Sequence, residues 1–455
     1  MNRHINREIL GLAIPSILAN LTVPLVGMVD IAVAGHLASS AATLIGGITV
    51  GSTLFDLLYW NFAFLRAGTG GLTAQAYGSR DRKRCADILT RSITLAICIS
   101  FILLLLQWLF IQAAFLFIDC SPEVQALARK YFSIRIWAAP ATLSLMAMKG
   151  WFIGMQDSVS SMATDLVVNG MNIFSSIILS LGIFSWKGIG YPGIALGTVV
   201  AQYSGLLTAT AIIMIKYRST FQGFALSRAV HTLINAETRQ FMKMNGDFLV
   251  RSVCFITIYI GYTVISAGYG DTLLASAAIM MKLMMLFSYF TDGFAYAGEA
   301  LTGRFIGARD LGMARLSIRW VFIWSLSITF ISILIYWFFG IDMIRILTSD
   351  NQVVDACSKY IIWLVLMPVV GVICFTWDGI YIGATATRLI RNTMIWSVIS
   401  FVTVWFTGLS VLRHTALYSP ENCIHLLLAA YMSHLAARSI YQTLRYGRDG
   451  KNVIY

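Results

Sequence analysis

The sequence predicts an all-α integral membrane protein, with twelve transmembrane helices in two pseudo-symmetric six-helix bundles around a central cleft. Three observations carry this reading. Of 455 residues, 58% are apolar and only 12% are charged, about half the charged share of an ordinary soluble domain. The apolar residues gather in runs such as FILLLLQWLFIQAAFLFI at 101–118, and runs of about 20 residues cross a bilayer as helices. The two halves of the chain also match each other at a shift of 229 residues.

Six runs fall in the first half, at 9–36, 44–69, 88–118, 124–154, 160–184 and 193–216. Six follow in the second, at 240–267, 273–300, 314–340, 353–384, 388–411 and 423–445. Backbone amides find no water in hydrocarbon, so each run is expected to be helical. A barrel would need apolar and polar residues alternating over ~10-residue segments, and these runs do not alternate. The first run continues from Ile9 with no small-residue cleavage pattern before Asp30, so no cleavable signal peptide is expected. The expected division is an N-terminal bundle at 1–216, a cytoplasmic linker at 217–239 and a C-terminal bundle at 240–455.

The formal net charge is +12, yet the basic residues sit in short clusters between apolar runs, which argues against nucleic acid. One alternate set of loops carries most of the 33 Lys and Arg, among them Arg80, Arg82, Lys83, Arg84, Lys216, Arg218, Arg228 and Arg239. The opposite set holds Arg129, Lys130, Lys187, Arg345, Lys359 and Arg413. The positive-inside rule therefore places both termini in the cytoplasm, across an inner membrane. The turn at 155–160 runs against this trend, since it holds Asp157 and no base.

Repetition supports the two-bundle plan. Leu72-Thr73, Gly78 and Asp81 match Leu301-Thr302, Gly307 and Asp310 at the common shift. Lys130-Tyr131 matches Lys359-Tyr360, and Gly150 and Gly154 match Gly379 and Gly383. Both halves start on the same side, so the repeat is expected to be parallel, with its axis along the membrane normal.

A charge in hydrocarbon costs at least about 2.5 kcal/mol, so it faces a cavity or a partner. Asp30, Asp56, Asp165, Asp247, Asp292, Glu299 and Asp378 lie in the runs, with Arg66, Arg135, Lys149, Arg251 and Lys282. Asp30 stands alone in a helix that also contains Pro15 and Pro24, and a proline frees a carbonyl and permits a bend. Its carboxyl is a candidate whose protonation changes that helix; a buried acid bonded only for packing is the alternative. Asn169 and Asn172 share a helix face and could bond an acid on a neighbour, or act only as interhelical glue. Asp247 and Arg251 are spaced to neutralise each other, and Glu299 could pair with Arg304. Asp292 and Asp378 each precede a glycine deep in a run. Met28, Met281 and Met285 suit a pliable apolar pocket or plain packing, and Lys282 interrupts the second of those Met-rich stretches.

Other chemistry finds no support. The seven Cys include no CxxC, and the six His form no HExxH. GIGYPG at 188–193 falls in a turn between runs rather than in a βαβ unit. No Walker A motif is present. No enzyme activity, metal or cofactor is expected, beyond H+ or Na+ as coupling ion. An intramembrane acyltransferase would need a catalytic His or metal cluster, and a channel would need a filter.

PLVGMVDIAVAGHL (24–37), GLTAQAYG (71–78), TDGFAYAGEA (291–300) and DGIYIGATATR (378–388) together resemble the multidrug and toxic compound extrusion (MATE) family, in its DinF-like branch. The resemblance covers essentially all twelve spans. It implies two six-helix lobes and export of organic compounds in exchange for H+ or Na+. It implies that Asp30 takes the coupling ion, that Pro15 marks the helix bend, and that Asn172 and Thr198 are polar partners of that site. Ser176 stands where many members carry a second acid, which leaves Asp165 or Asp56 as substitutes. Asp378 matches an acid associated with cation binding in some members. The expectation is a monomeric antiporter of small, apolar, often cationic compounds, embedded in lipid, with protons as coupling ion. Sodium coupling and a lipid or glycolipid flippase of the same superfamily are the rivals; a flippase should show a markedly cationic cavity.

Overall fold

A computed structural model describes residues 2–37, 41–116, 118, 120–183, 186–221, 236–348 and 350–449. Most of the expected linker, 222–235, lies outside the described residues. The chain runs α1 (Asn2–Leu37), α2 (Ala41–Trp60), α3 (Phe64–Gly78), α4 (Arg82–Ala114), α5 (Pro122–Arg135), α6 (Ala139–Gly154), α7 (Ser158–Leu181) and α8 (Tyr191–Lys216). It continues as α9 (Ala236–Ala267), α10 (Asp271–Gly307), α11 (Leu311–Leu347), α12 (Asn351–Gly383), α13 (Thr387–Arg413) and α14 (Pro420–Asp449). Among the described residues the only β pairing is an isolated bridge between Ile183 and Trp186.

Eleven helical stretches among the described residues are long and apolar enough to cross a membrane. The twelfth expected span, 124–154, is two helices joined by a 3-10 turn at Ile136–Ala138. Pro140 just beyond lacks an amide hydrogen and cannot continue the α-ladder backwards, and Arg129, Lys130, Arg135 and Lys149 break up the apolar run. The expected span 44–69 is also divided, between α2 and α3. There Asn61 donates its side-chain amide to the Leu57 carbonyl at 2.7 Å, competing with the backbone ladder. The equivalent position in the second half is Phe290, which offers no such bond, and α10 runs through unbroken.

The repeat is visible in backbone detail. Four helices end with a non-glycine residue in the left-handed region: Arg80, Gln156, Arg309 and Thr385, at φ of 60°, 63°, 58° and 55°. In each turn the next residue's amide reaches five residues back, as in Asp81 to Ala76 and Asp310 to Phe305. Asp157 to Phe152 and Ala386 to Tyr381 complete the set. This closure satisfies carbonyls that a helix end leaves orphaned. The Asp81 and Asp310 carboxylates then cap the following helices, accepting from the amides of Arg84 and Met313 at 2.9 and 3.0 Å.

Glycine does equivalent work in both halves. A Cβ on Gly150 would fall on the Arg66 carbonyl, and one on Gly379 would fall on the Ala295 carbonyl. Gly154 and Gly383 meet the backbone of 70–74 and 299–303 in the same way. Small residues that let two helix backbones touch are the usual packing device where lipid removes the hydrophobic drive between helices.

The chain forms two compact units: Leu18–Asn245, and Gly246–Tyr455 together with Met1–Ile17. The first bundle was expected to begin at residue 1, but the start of α1 packs with the second unit. Glu8 accepts from Arg304 at 3.2 Å, Asn6 accepts from the Trp324 indole at 3.1 Å, and Gly293 lies against Ala13 and Ile17. Arg304, expected as a partner for Glu299, thus serves Glu8. The division of α1 falls between Pro15 and Pro24, both of which lie inside the continuous helix.

In the unit Leu18–Asn245, Leu145, Met148, Trp151, Phe152 and Val168 form a buried core. The Gly246–Tyr455 unit centres on Met280, Met281, Met284, Phe287 and Tyr360, with Met285 packed against them. Met281 thus belongs to the core and Met285 packs against it, as the plain-packing reading expects. Lys282 points away from that core and is exposed.

Candidate functional site

Asp30 sits in the Leu18–Asn245 unit, late in α1, and only 6% exposed. It has no ion-pair partner within 4 Å among the described residues, and its Oδ1 makes no hydrogen bond. The polar groups acting on its carboxyl are the Arg135 guanidinium and the Ser176 hydroxyl. Ser176 donates to Asn172 Oδ1 at 3.3 Å, and the Asn172 amide donates to Thr198 Oγ1 at 3.1 Å. The structure thus brings Asp30, Asn172, Ser176 and Thr198 together from α1, α7 and α8. Asn169, one turn earlier on α7, donates to Thr22 on α1 at 2.5 Å, tying the helix of the acid to the helix of its polar neighbours. Met28, two residues before Asp30, is 65% exposed.

Arg135 links Asp30 to a second carboxyl. Its guanidinium donates to Tyr131 Oη at 3.1 Å and to Ser52 Oγ at 3.4 Å, and lies 4.7 Å from the Phe55 ring centroid. Both Asp30 and Asp56 feel its charge. Neither carboxyl forms an ion pair with Arg135 among the described residues, and two carboxyls within Coulombic reach of one guanidinium leave this cluster one excess negative charge when both are ionised. Asp165 is not part of it. Lys149 holds Asp165 in a close ion pair between α6 and α7, which counts against Asp165 in the expectation of Asp165 or Asp56 as a substitute acid.

The second unit has the opposite balance. Asp378, on α12 and 7% exposed, accepts through Oδ2 from Arg251 at 3.0 Å and from Arg438 at 2.6 Å. Its Oδ1 accepts from the Gln442 amide at 2.7 Å. A cation at Asp378 would face two guanidiniums, so the expectation of a cation there is corrected. Arg251 was also expected to neutralise Asp247. Asp247 instead accepts from Arg391 at 2.7 Å and from Thr387 at 2.8 Å. Asp292 is half-buried on α10, while the hydrogen bonds of Asp378 go to α9 and α14.

Arg438 and Gln442 were missing from the candidates. A signal existed, since Arg438 lies inside the expected span 423–445 and is a base at lipid depth like those singled out. Asp157, the turn acid without a neighbouring base in sequence, finds one in space. It caps α7 and accepts from Lys216 at 2.7 Å and Tyr217 at 2.6 Å. Burial pushes its carboxyl up, but the bonds from Lys216, Ser160 and Tyr217 outweigh this and hold it below the usual value of 3.8.

Comparisons with known proteins agree with this architecture. The MatE family model matches residues 15–178 and again 248–407, one match for each repeat. DNA damage-inducible protein F of Escherichia coli K12 is 35% identical over 84% of this chain and 82% of its own length. A probable multidrug resistance protein NorM of Thermotoga maritima is 24% identical over 90% of this chain and 85% of its own. Among solved structures, an outward-facing conformation of a multidrug resistance MATE family transporter superposes with a TM-score of 0.82 at 17% identity, covering 98% of this chain and 96% of that one. The chain is a multi-pass membrane protein and belongs to the MatE family, the multidrug and toxic compound extrusion proteins that its motifs resemble.

Proposed function

We propose that the protein is a secondary active antiporter of the inner membrane, exporting small organic compounds in exchange for protons by alternating access, with both termini cytoplasmic. The observation that carries the reading is Asp30, a carboxyl 6% exposed and without an ion pair among the described residues, beside the hydroxyl and amide groups of Ser176, Asn172 and Thr198. A buried charge without a close partner is costly, so a proton or cationic group would complete this site. Hydrogen-bonding roles change when a carboxyl takes a proton, from acceptor alone to donor and acceptor. The Ser176 and Asn172 bonds can then differ between the two states, and α1 has Pro15 and Pro24 to change shape with them. Drug export is supported by the multidrug resistance name of the Thermotoga maritima relative. The excess carboxyl of the Asp30, Asp56 and Arg135 cluster favours apolar cations as cargo.

The test is counterflow in proteoliposomes against an imposed pH gradient, with Na+ absent and a panel of apolar cations as cargo. The parent protein should accumulate at least one of them. Asp30→Asn keeps the size and removes the titration, so it should insert normally and lose ion-driven movement. Full activity of Asp30→Asn overturns the proton mechanism. Activity of the parent only on adding Na+ keeps the antiporter and replaces its ion.

A further inference from the structure

The charges that meet at Asp378 do not balance. Arg251 on α9 and Arg438 on α14 share one carboxylate, Asp378 on α12, and both use the same oxygen of it. Among the described residues the Nε groups of both guanidiniums have no hydrogen-bond partner, nor do Gln442 Oε1 and His434 Nδ1. Arg438 is nine-tenths and more buried, at 3% side-chain exposure, while Arg251 is 27% exposed. Each guanidinium carries five N–H donors in a planar fork that suits a carboxylate or phosphate.

A structural ion triad would satisfy its donors, because a buried unpaired donor costs as much as the bond it lacks. Counted over Arg251, Arg438 and Asp378, this cluster keeps one net positive charge and an unpaired N–H group on each guanidinium, with Arg251 its more exposed member. Apolar surface is next to it: the Phe375 ring centroid lies 5.6 Å from the Arg438 guanidinium. A group with one negative charge attached to an apolar body fits these features, and an apolar cation does not.

We infer that the Arg251 and Arg438 pair of this unit binds the carboxylate of an amphiphilic organic anion, which extends the cargo of the proposed antiporter beyond apolar cations. The inference rests on the transporter reading for its purpose and on this cluster alone for its chemistry. Asp378 orients the two guanidiniums, and the anion accepts from the N–H groups that Asp378 leaves free.

The probes are decanoate and decyltrimethylammonium, titrated into purified protein in phosphatidylcholine nanodiscs with tryptophan fluorescence as readout. Arg251→Gln is the informative variant, because Arg438 still neutralises Asp378 and the excess charge is gone. Losing one charge-assisted bond should weaken decanoate binding about tenfold or more, with decyltrimethylammonium affinity unchanged. Arg251→Lys should restore part of the loss. Equal decanoate affinity in parent and Arg251→Gln overturns the inference. So does loss of decanoate binding when phosphatidylglycerol replaces phosphatidylcholine, which would mark a lipid-headgroup site, and so does chloride binding as tightly as decanoate. Decanoate binding that survives in Asp30→Asn supports the site independently of how transport is driven. Failure of pH-driven counterflow with binding intact refutes the antiporter and leaves the site standing.

Discussion

Lys149 and Asp378 occupy the same position of the two repeats, 229 residues apart, with opposite charge. Each follows the repeat's shared backbone and immediately precedes the glycine that touches a facing carbonyl, Gly150 or Gly379. Lys149 is met by Asp165, and Asp378 by Arg251 and Arg438. The repeat has kept its helix contacts and reversed its interior electrostatics.

Removing the charge at these two positions should therefore differ in cost. Asp378→Asn leaves two guanidiniums facing a neutral amide and should destabilise by about 3–5 kcal/mol, the usual result of breaking a buried ion pair. Lys149→Met should cost less, since its pair is 29% and 19% exposed. Thermal unfolding in detergent should place Asp378→Asn well below Lys149→Met, and the reverse order would refute the assignment of partners.

Charge balance at Arg135 should set the affinity for cations in the first unit. Asp56→Asn removes the excess negative charge, and Arg135→Gln increases it. At an effective dielectric of about 20, one charge several ångströms away is worth about 2 kcal/mol. Binding of tetraphenylphosphonium should weaken about tenfold in Asp56→Asn and tighten in Arg135→Gln. The same dissociation constant in all three proteins would remove Asp56 from the site.

Backbone contact makes Gly150 and Gly379 intolerant of a single methyl group. A carbonyl cannot rotate away as a side chain can, so alanine at either position should cost about 1–3 kcal/mol or prevent folding. Gly170 in α7 has nothing within 4 Å of an added Cβ. Gly170→Ala should be neutral or stabilise by about 0.5–1 kcal/mol through helix propensity. Folded yield after extraction, measured by size exclusion, separates the two classes.

The tie at Asp157 should show a defined pH signature. Its folded carboxyl is held below the usual 3.8 by Lys216, Ser160 and Tyr217. A depressed acid contributes stability above its unfolded value and loses it as pH falls through the folded value. Asp157→Asn keeps a good helix cap but loses the ion pair, so it should be less stable than the parent by about 1–2 kcal/mol at pH 7. The gap should stay constant down to about pH 5 and narrow only below about pH 4. A gap that opens on acidification instead would show that the carboxylate contributes no stabilisation there.

Much of this was legible in the sequence because lipid imposes strong rules. Apolar runs gave the spans, and the Gly and Asp matches at one shift marked the turns and contacts that both halves share. The neighbourhood of Asp30 with Asn172, Ser176 and Thr198 came from the family resemblance, not from spacing. What stayed illegible depends on single side chains or on distant partners. Asn61 divides α2 from α3 through one bond to Leu57, and no composition window detects that. Asp378 meets Arg438 from 60 residues away and Arg251 from 127. The local spacing that paired Asp247 with Arg251 was a weaker guide than the packing of α9 against distant helices.

The placement of residues 2–17 has a consequence for how the protein is made. These residues are synthesised well before Arg304, Trp324 and Gly293, which receive Glu8, Asn6 and Ile17. The second unit therefore cannot close until the chain has been translated well beyond its midpoint, and its earliest piece must wait in the membrane meanwhile. A gene cut within 222–235 would not yield two self-sufficient fragments. The upstream product would carry away a segment that belongs to the downstream one, and that downstream product would lack the seat of Arg304. Co-expressed halves should recover only when residues 2–17 are supplied, whether in place or appended to the later fragment.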